Sequence, residues 1–436
     1  MEIKRDFFLN QIVKKKDNGR VKIITGVRRC GKSYLLFELY KNYLVKNGVP
    51  EDQIITLALD ETDNARYRNP VELNEFVKAE TPDSGKKYYV FIDEIQECSE
   101  VVNPWLPDSK EKITFVDTVL GLVKRKNLDL YITGSNSRML SSDVVTQFRD
   151  RGDEIHVTPL LFSEFLAAYG SDRAAAWRDY YTFGGMPYLF SLETAEEKSL
   201  YLKNLFQETY IRDIVERRQI RNDREILETL LDFVSSAAGS LTNPSKLAKR
   251  FDSEKKIKIT NETVSVYLGY FEEAYLLQSA KRYDIKGSAY FSTPLKYYFT
   301  DAGLRNARIN FRQIKETHLM ENIIFNELTA RGYNVDVGFV AYWKYVQDKE
   351  GKKKRERVQQ EVDFVANQGN RRVYIQSALN VDDPEKKAQE TDSLNRISDS
   401  FRKIVVVGKD IVPWYDEKGI LYVGLFDFLL NGTGLN

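Results

Sequence analysis

Short apolar runs alternate with amphipathic stretches through the first third of the chain. Residues 21–25, 54–59, 88–92 and 128–133 are each mostly apolar, and each is followed by Gly or Asp. Strands buried on both faces of a parallel sheet have this pattern. Helical spacing appears between them: Leu36, Leu39, Tyr40 and Tyr43 share a face, and Gly48 supplies a stop. From 163 to about 235 the period is helical throughout. Strands are expected again at 276–283 and 289–293, a helix at 319–330, and strands at 362–366, 373–377 and 403–407. The pattern predicts an α/β protein that opens with a parallel-sheet core and continues into a helical region and a mixed one.

The first apolar run leads into Gly26-Val27-Arg28-Arg29-Cys30-Gly31-Lys32-Ser33, with Tyr34 next. This fits GxxxxGK[ST] between a strand and a helix, the phosphate-binding P-loop. Glycines let successive N–H groups converge on phosphate oxygens, and the helix that starts near Lys32 adds its dipole. Residues 26–34 are therefore the expected binding segment for ATP. Lys32 is expected on the β and γ phosphates and Ser33 on Mg²⁺. Cys30 contributes its backbone N–H, so it is not expected as a nucleophile, although thiol modification there would disturb binding.

The run Tyr88-Tyr89-Val90-Phe91-Ile92 ends in Asp93-Glu94. Asp93 is the expected second magnesium residue, and Glu94 the general base that polarises the attacking water. After residues 128–133 comes Gly134-Ser135-Asn136-Ser137. A polar side chain at that strand tip would orient water at the γ phosphate, Asn136 before Ser135. Arg149 and Arg151, ahead of a strand at 154–157, are candidates for an arginine that stabilises transition-state charge, in cis or across a subunit interface. Arg28 and Arg29 either assist the phosphates or face solvent.

At 436 residues the chain is too long for one core. Its net charge of +1 gives no global attraction to nucleic acid, so any such contact must be local. Two cysteines and two histidines are too few for a disulfide framework or a histidine-rich metal centre. No apolar run is long enough for a bilayer, and the first residues lack a signal-peptide core. A cytoplasmic location with no membrane partner is expected.

GVRRCGKS, YYVFIDEIQ, ITGSNSRML and FRDRGDEIHVTPLLFSEFL, followed by GGMPYLF, ETYIRDIVERR, TVSVYLGYFEEAYLL, LKYYFTDAGLRN and EVDFVA, resemble the prokaryotic AAA+-type ATPases with a C-terminal DUF4143-type region. The likeness spans nearly the whole chain in motif order. It implies a P-loop core over 1–157 with the acid strand separated from the P-loop strand. It further implies a helical lid over 158–235, a winged helix over 236–305 and a PD-(D/E)xK nuclease-like domain over 306–436. One local departure is Arg149-Asp150-Arg151, where such proteins often carry Arg-Gly-Arg.

In the winged-helix region, 243–251 and 261–275 read as helices. Lys246, Lys249, Arg250, Lys281 and Arg282 form a basic set suited to duplex DNA phosphates. The second helix carries no Arg or Lys, so a protein-binding module fits equally, and self-association is a further option. In the nuclease-like region Glu321 and Asp363 are the expected helix and strand acids. The third element is Gln376-Ser377-Ala378, without its lysine. An inactive, vestigial site is expected. The overall expectation is a Mg²⁺-dependent ATPase that couples nucleotide state to movement of its C-terminal region. The alternatives are a nucleotide-gated DNA-binding or regulatory switch, and an active metal-dependent nuclease.

Overall fold

The computed structural model describes residues 3–134, 148, 151–170, 172–211, 214–215, 218, 220, 224–312, 314–347 and 353–435. The chain divides into two compact units. The first comprises 1–160 with 186–188 and 273–275; the second holds the remainder.

The first unit is built on β1 (Val21–Thr25), β2 (Ile54–Ala58) and β3 (Tyr88–Asp93). A small ribbon of β4 (Val101–Val102) and β5 (Lys112–Ile113) follows, then β6 (Leu128–Thr133) and β7 (Gly152–His156). The main sheet is parallel with order β2-β3-β6-β1-β7. The acid strand β3 is thus separated from β1 by β6, as the resemblance implies. Side chains Ile23, Val90, Ile92, Leu130 and Ile132 pack with Leu73, Val77, Val119 and Leu122 from the helices Pro70–Glu80 and Phe115–Leu122. Those helices start cleanly because Asn69 and Thr114 cap the exposed N–H groups of their first turns.

One charge pair lies inside this sheet. Lys22 on β1 is fully buried and pairs with Asp129 on β6. Asp129 also accepts from Tyr131 Oη at 2.7 Å and from the backbone N–H of Asp17 at 2.9 Å. Tyr131 in turn bonds Tyr40 Oη at 2.5 Å. A buried ammonium persists only with such a partner.

The second unit begins with the helices Phe162–Tyr169, Arg173–Phe183, Ala195–Asn204 and Arg224–Ser236. Its strands are β8 (Leu241–Thr242), β9 (Leu277–Asp284), β10 (Ala289–Phe299), β11 (Asn334–Gln347), β12 (Lys353–Gln368), β13 (Arg371–Ala378), β14 (Arg402–Val407), β15 (Trp414–Tyr415) and β16 (Leu421–Gly424). They form one sheet of order β15-β16-β14-β13-β12-β11-β9-β10-β8. β9 and β10 form an antiparallel hairpin within this sheet. β9 also pairs in parallel with β11 at Arg282↔Val337, which joins the hairpin to the C-terminal strands edge to edge. Edge pairing satisfies backbone groups that a free hairpin would expose.

Two quoted motifs meet in this unit. Asp301, buried, accepts from the N–H groups of Gly185 and Leu304. A Cβ at Gly184 would lie 2.1 Å from Asp301 Oδ1, and one at Gly303 would lie 1.8 Å from Phe183 O. Gly184 of GGMP and Gly303 of DAGL are therefore packing requirements. Burial pushes the Asp301 carboxyl up to about 6.

Replacing Asp129 by Asn leaves Lys22 buried without a counter-charge. We expect a loss of about 3–5 kcal/mol in denaturant melts. The double replacement Lys22→Met/Asp129→Leu should cost clearly less than that single change.

Candidate functional site

Parallel pairing brings the carboxyl ends of β1, β3 and β6 to one edge of the first sheet. The P-loop leaves β1 there. Gly26 has φ +138°, and a Cβ would meet Val157 O at 2.0 Å, so no other residue fits without displacing the neighbouring strand's exit. Gly31 has φ +96° and starts the helical run Lys32–Tyr34, which continues as a π-helical stretch Leu35–Tyr40 and then Lys41–Lys46. Arg29 also adopts positive φ. Lys32 is buried, and its Nζ donates to Gly26 O at 3.0 Å and Val27 O at 3.2 Å. Cys30 is buried, with Sγ on Val157 O at 3.2 Å. Arg28 and Arg29 face solvent, while Ser33 and Tyr34 are partly exposed.

Arg5 braces the loop from beneath. Its guanidinium donates to Cys30 O and to Thr158 O, each at 2.8 Å, and stacks on Phe8 at 4.7 Å. It is 2% exposed. The sequence reading missed Arg5, because an arginine at the head of an amphipathic helix looks like surface charge.

Asp93 ends β3 and is buried. Glu94 follows in the left-handed region at φ 50°, a conformation that non-glycine residues adopt at a cost and that concentrates at functional sites. Thr133, the last residue of β6, links the two: its hydroxyl donates to Asp93 Oδ1 and accepts from Glu94 N at 3.2 Å. The Glu94 carboxylate accepts from Gln96 Nε2. Thr133 is therefore a polar residue at the tip of the central strand, three positions before Asn136. Asn136, Ser135 and Arg149 lie outside the described residues.

Arg151 immediately precedes β7. Its carbonyl accepts from Val21 N at 2.9 Å, and β1 pairs in parallel with β7 from Val21↔Gly152 to Thr25↔His156. Its backbone thus lies beside the amino end of β1, about 20 Å along the strand from Gly26.

His156 closes the same edge. Its ring is partly buried, contacts Tyr275 at a centroid distance of 4.8 Å and bonds Thr25 Oγ1 at 2.9 Å. The Thr25 hydroxyl donates to Glu154 Oε1 at 3.0 Å, so His156 Nδ1–H is the donor to Thr25. Burial, and secondarily the charge of Lys32, pull His156 down to about 4.

In the second unit, Glu321 on the helix Glu316–Ala330 and Asp363 on β12 come together around a residue that the sequence reading missed. Lys296 on β10 is 3% exposed and lies 2.9 Å from Glu321 Oε1 and 2.6 Å from Glu361 Oε1. A lysine thus stands beside these acids, supplied by β10 instead of β13. A lone lysine within the strand-forming run YFSTPLKYYF was the available signal, since a buried lysine requires a partner. The step from Asp336↔Val365 to Gly338↔Val362 gives β12 one extra residue beside Asp363. Such bulges re-aim side chains. Asp363 Oδ2 accepts from Ser377 N at 2.8 Å, and Tyr298 Oη donates to Glu321 at 2.8 Å. Gln376 accepts from Asp363 N at 3.3 Å and donates to Glu390 at 3.2 Å. Burial, then the charge of Glu321, hold the Asp363 carboxyl well above the usual range. Burial pulls the Lys296 ammonium down, but Glu321, Asp363 and Glu361 outweigh it and leave it raised. Among the described residues, no group of three His, Cys, Asp or Glu side chains is arranged to hold a metal.

Of the expected DNA-facing set, Lys246, Lys249 and Lys281 are exposed. Arg250 pairs with Glu254 and lies 4.0 Å over Phe233; Arg282 lies 4.5 Å over Phe339 and bonds Gln359. Both arginines are engaged within the fold. No helix among the described residues is long and apolar enough to cross a membrane.

These buried charges set two expectations. His156 has a folded pKa below its unfolded value, so it contributes stability above pH 6.5 that is lost as pH falls toward 4. The loss amounts to about 3 kcal/mol. His156→Gln should flatten the fall in melting temperature between pH 6.5 and 4.5. Lys296→Met should destabilise by roughly 3–5 kcal/mol, and adding Glu321→Gln should recover part of that loss in a double-mutant cycle.

Comparison with known proteins agrees with this geometry. Residues 18–166 match the AAA domain family. Residues 174–315 and 316–426 match two domains of unknown function, DUF8612 and DUF4143. An uncharacterized protein of Haemophilus influenzae is 33% identical over 98% of this chain and 98% of its own. Another, from Methanocaldococcus jannaschii, is 29% identical over 72% of this chain and 67% of its own. A Walker-type ATPase of Pyrococcus abyssi aligns with 71% of this chain and 96% of its own, at 14% identity and a TM-score of 0.49. With the P-loop, the acid pair and the strand order in place, the chain belongs to the AAA-type ATPase family whose members join an AAA domain to a DUF4143 region.

Proposed function

We propose that the first unit binds ATP with Mg²⁺ and hydrolyses it. The observation that carries this reading is the arrangement of Asp93, Glu94 and Thr133 on the strand ends beside the P-loop. The P-loop glycines leave their N–H groups free of side-chain obstruction, which suits a triphosphate. Lys32 would exchange its contacts with Gly26 O and Val27 O for β and γ phosphate oxygens. Ser33 and Asp93 supply a hydroxyl and a carboxylate of the kind magnesium takes, with phosphate and water completing its shell. Magnesium, when bound, neutralises charge on the phosphates. Glu94 would accept the proton of the attacking water, and its strained backbone, tied to Thr133, aims the carboxylate from the strand end. Hydrolysis would then drive a rearrangement of the second unit, with no strand-cutting step assigned there.

A second reading rests on the hydrogen bond from Gln96 to Glu94. A carboxylate held by an amide must be released before it can act as a base, so turnover would be gated and slow until a partner or ligand frees it.

Calorimetry with ATP and Mg²⁺ should show binding in the wild type and none in Lys32→Ala. Glu94→Gln should bind ATP yet lose at least about a hundredfold in turnover. Absence of binding in the wild type, or unchanged turnover in Glu94→Gln, would overturn the proposal. Negligible wild-type turnover that rises in Gln96→Ala would favour the gated reading.

A further inference from the structure

The hairpin of β11 and β12 extends well beyond the sheet that anchors it. β9 pairs with β11 only over 337–339, and β13 pairs with β12 over 364–368. The two strands continue together from there to Gln347↔Lys353. The register places Trp343 opposite Arg357 and Tyr345 opposite Arg355. Alternate residues share a face, so these four side chains lie together on one side of the ribbon. All four are exposed, Trp343 by 55% and Tyr345 by 69%. The Arg355 guanidinium lies 4.7 Å over the Trp343 ring. Ala341 and Gln359 continue the same face, and from Ala341 to Tyr345 and Arg355 to Gln359 it carries no acidic side chain. The opposite face is used by the fold: Arg396 covers Tyr342 at 3.6 Å.

We propose that this face of the hairpin binds single-stranded nucleic acid, with Trp343 and Tyr345 stacking on bases and Arg355 and Arg357 meeting phosphates. Solvent-exposed indole and phenol rings gain nothing from burial within the fold, and every base offers a π-face to stack on. Trp343 and Tyr345 are two residues apart on one strand, a spacing of about 7 Å. A pair of rings so spaced suits successive unpaired bases. The arginines across the ribbon supply positive charge beside each ring, so the face has the complementary sign for a phosphate backbone. A folded protein partner fits less well. The ribbon is two strands wide and this open face, from Ala341 to Tyr345, about 14 Å long, too small for the roughly 800 Å² per partner of a stable interface. A duplex also fits less well, because its paired bases offer no free face for the rings. This face shares no residue with the P-loop, and at its anchored end it adjoins Arg282, which bonds Gln359.

The test uses the full chain and fluorescence anisotropy. The probes are a labelled oligothymidylate of about twenty nucleotides and a duplex of equal length, each titrated across salt. The wild type should bind the single strand more tightly than the duplex. Trp343→Ala/Tyr345→Ala should weaken single-strand binding at least about tenfold. Arg355→Glu/Arg357→Glu should also weaken it and reduce the slope of log affinity against log salt by roughly 1.4, about 0.7 for each phosphate that no longer meets a cation. The lysine replacements at both arginines should preserve the slope. Melting temperature and ATP turnover serve as folding controls, since these side chains are exposed and outside the P-loop. The proposal is overturned if the wild type does not bind the oligonucleotide, or if the aromatic double variant binds it as well as the wild type. It is likewise overturned if the duplex binds as tightly as the single strand with the same loss in the variants.

Discussion

Parallel pairing of β6 between β1 and β3 is the constraint on which the nucleotide site depends. Parallel strands deliver their carboxyl ends to one edge. Three segments far apart in sequence therefore emerge together: the P-loop after Thr25, the acid pair at Asp93-Glu94 and the hydroxyl of Thr133. Had β3 paired directly with β1, Thr133 would not lie between them, and neither Asp93 nor Glu94 N would have its hydrogen bond. The buried pair of Lys22 and Asp129 joins the two central strands of this arrangement. It specifies which strands neighbour each other, because only correct pairing neutralises both charges.

Buried charge recurs in the second unit with a different consequence. Lys296, Glu321, Glu361 and Asp363 come from a strand, a helix and a second strand; Lys296 and Asp363 are buried, and neither is tolerable there without partners. Burial first, and then the neighbouring Glu321 carboxylate, raise the Asp363 carboxyl well above the usual range. The cluster joins β10 to β12 and to the helix Glu316–Ala330, which suits a sheet that continues without interruption from the β9–β10 hairpin into the C-terminal strands. Asp301 does similar work between the two glycine motifs, by receiving backbone N–H groups instead of a cation.

Much of the first unit was legible because its chemistry is local. The P-loop spacing, the apolar strands and the acids that end β3 are each read within a few residues, and the family resemblance implied the strand arrangement. The long-range contributions were hidden. Arg5 reaches Cys30 and Thr158 only after folding. Thr133 sits one residue before the polar turn that drew attention to Asn136, and its role follows from which strand it ends, not from its type.

The second unit shows the same division more sharply. Periodicity marked its early helices and β9, β10, β13 and β14 but not β11 or β16, and the resemblance led to Glu321, Asp363 and Gln376 as a related group. The lysine absent beside Gln376 is matched in space by Lys296, some eighty residues earlier, because the β9–β10 hairpin joins the sheet next to β11. By register, Arg151 lies beside the amino end of β1. By itself, the sequence determined the elements, the P-loop and the acids, since these depend on residue type and short spacing. Only the tertiary structure decided which polar groups share a buried site and which end of a strand each occupies, since strand order and register bring together residues whose separation along the chain carries no such information.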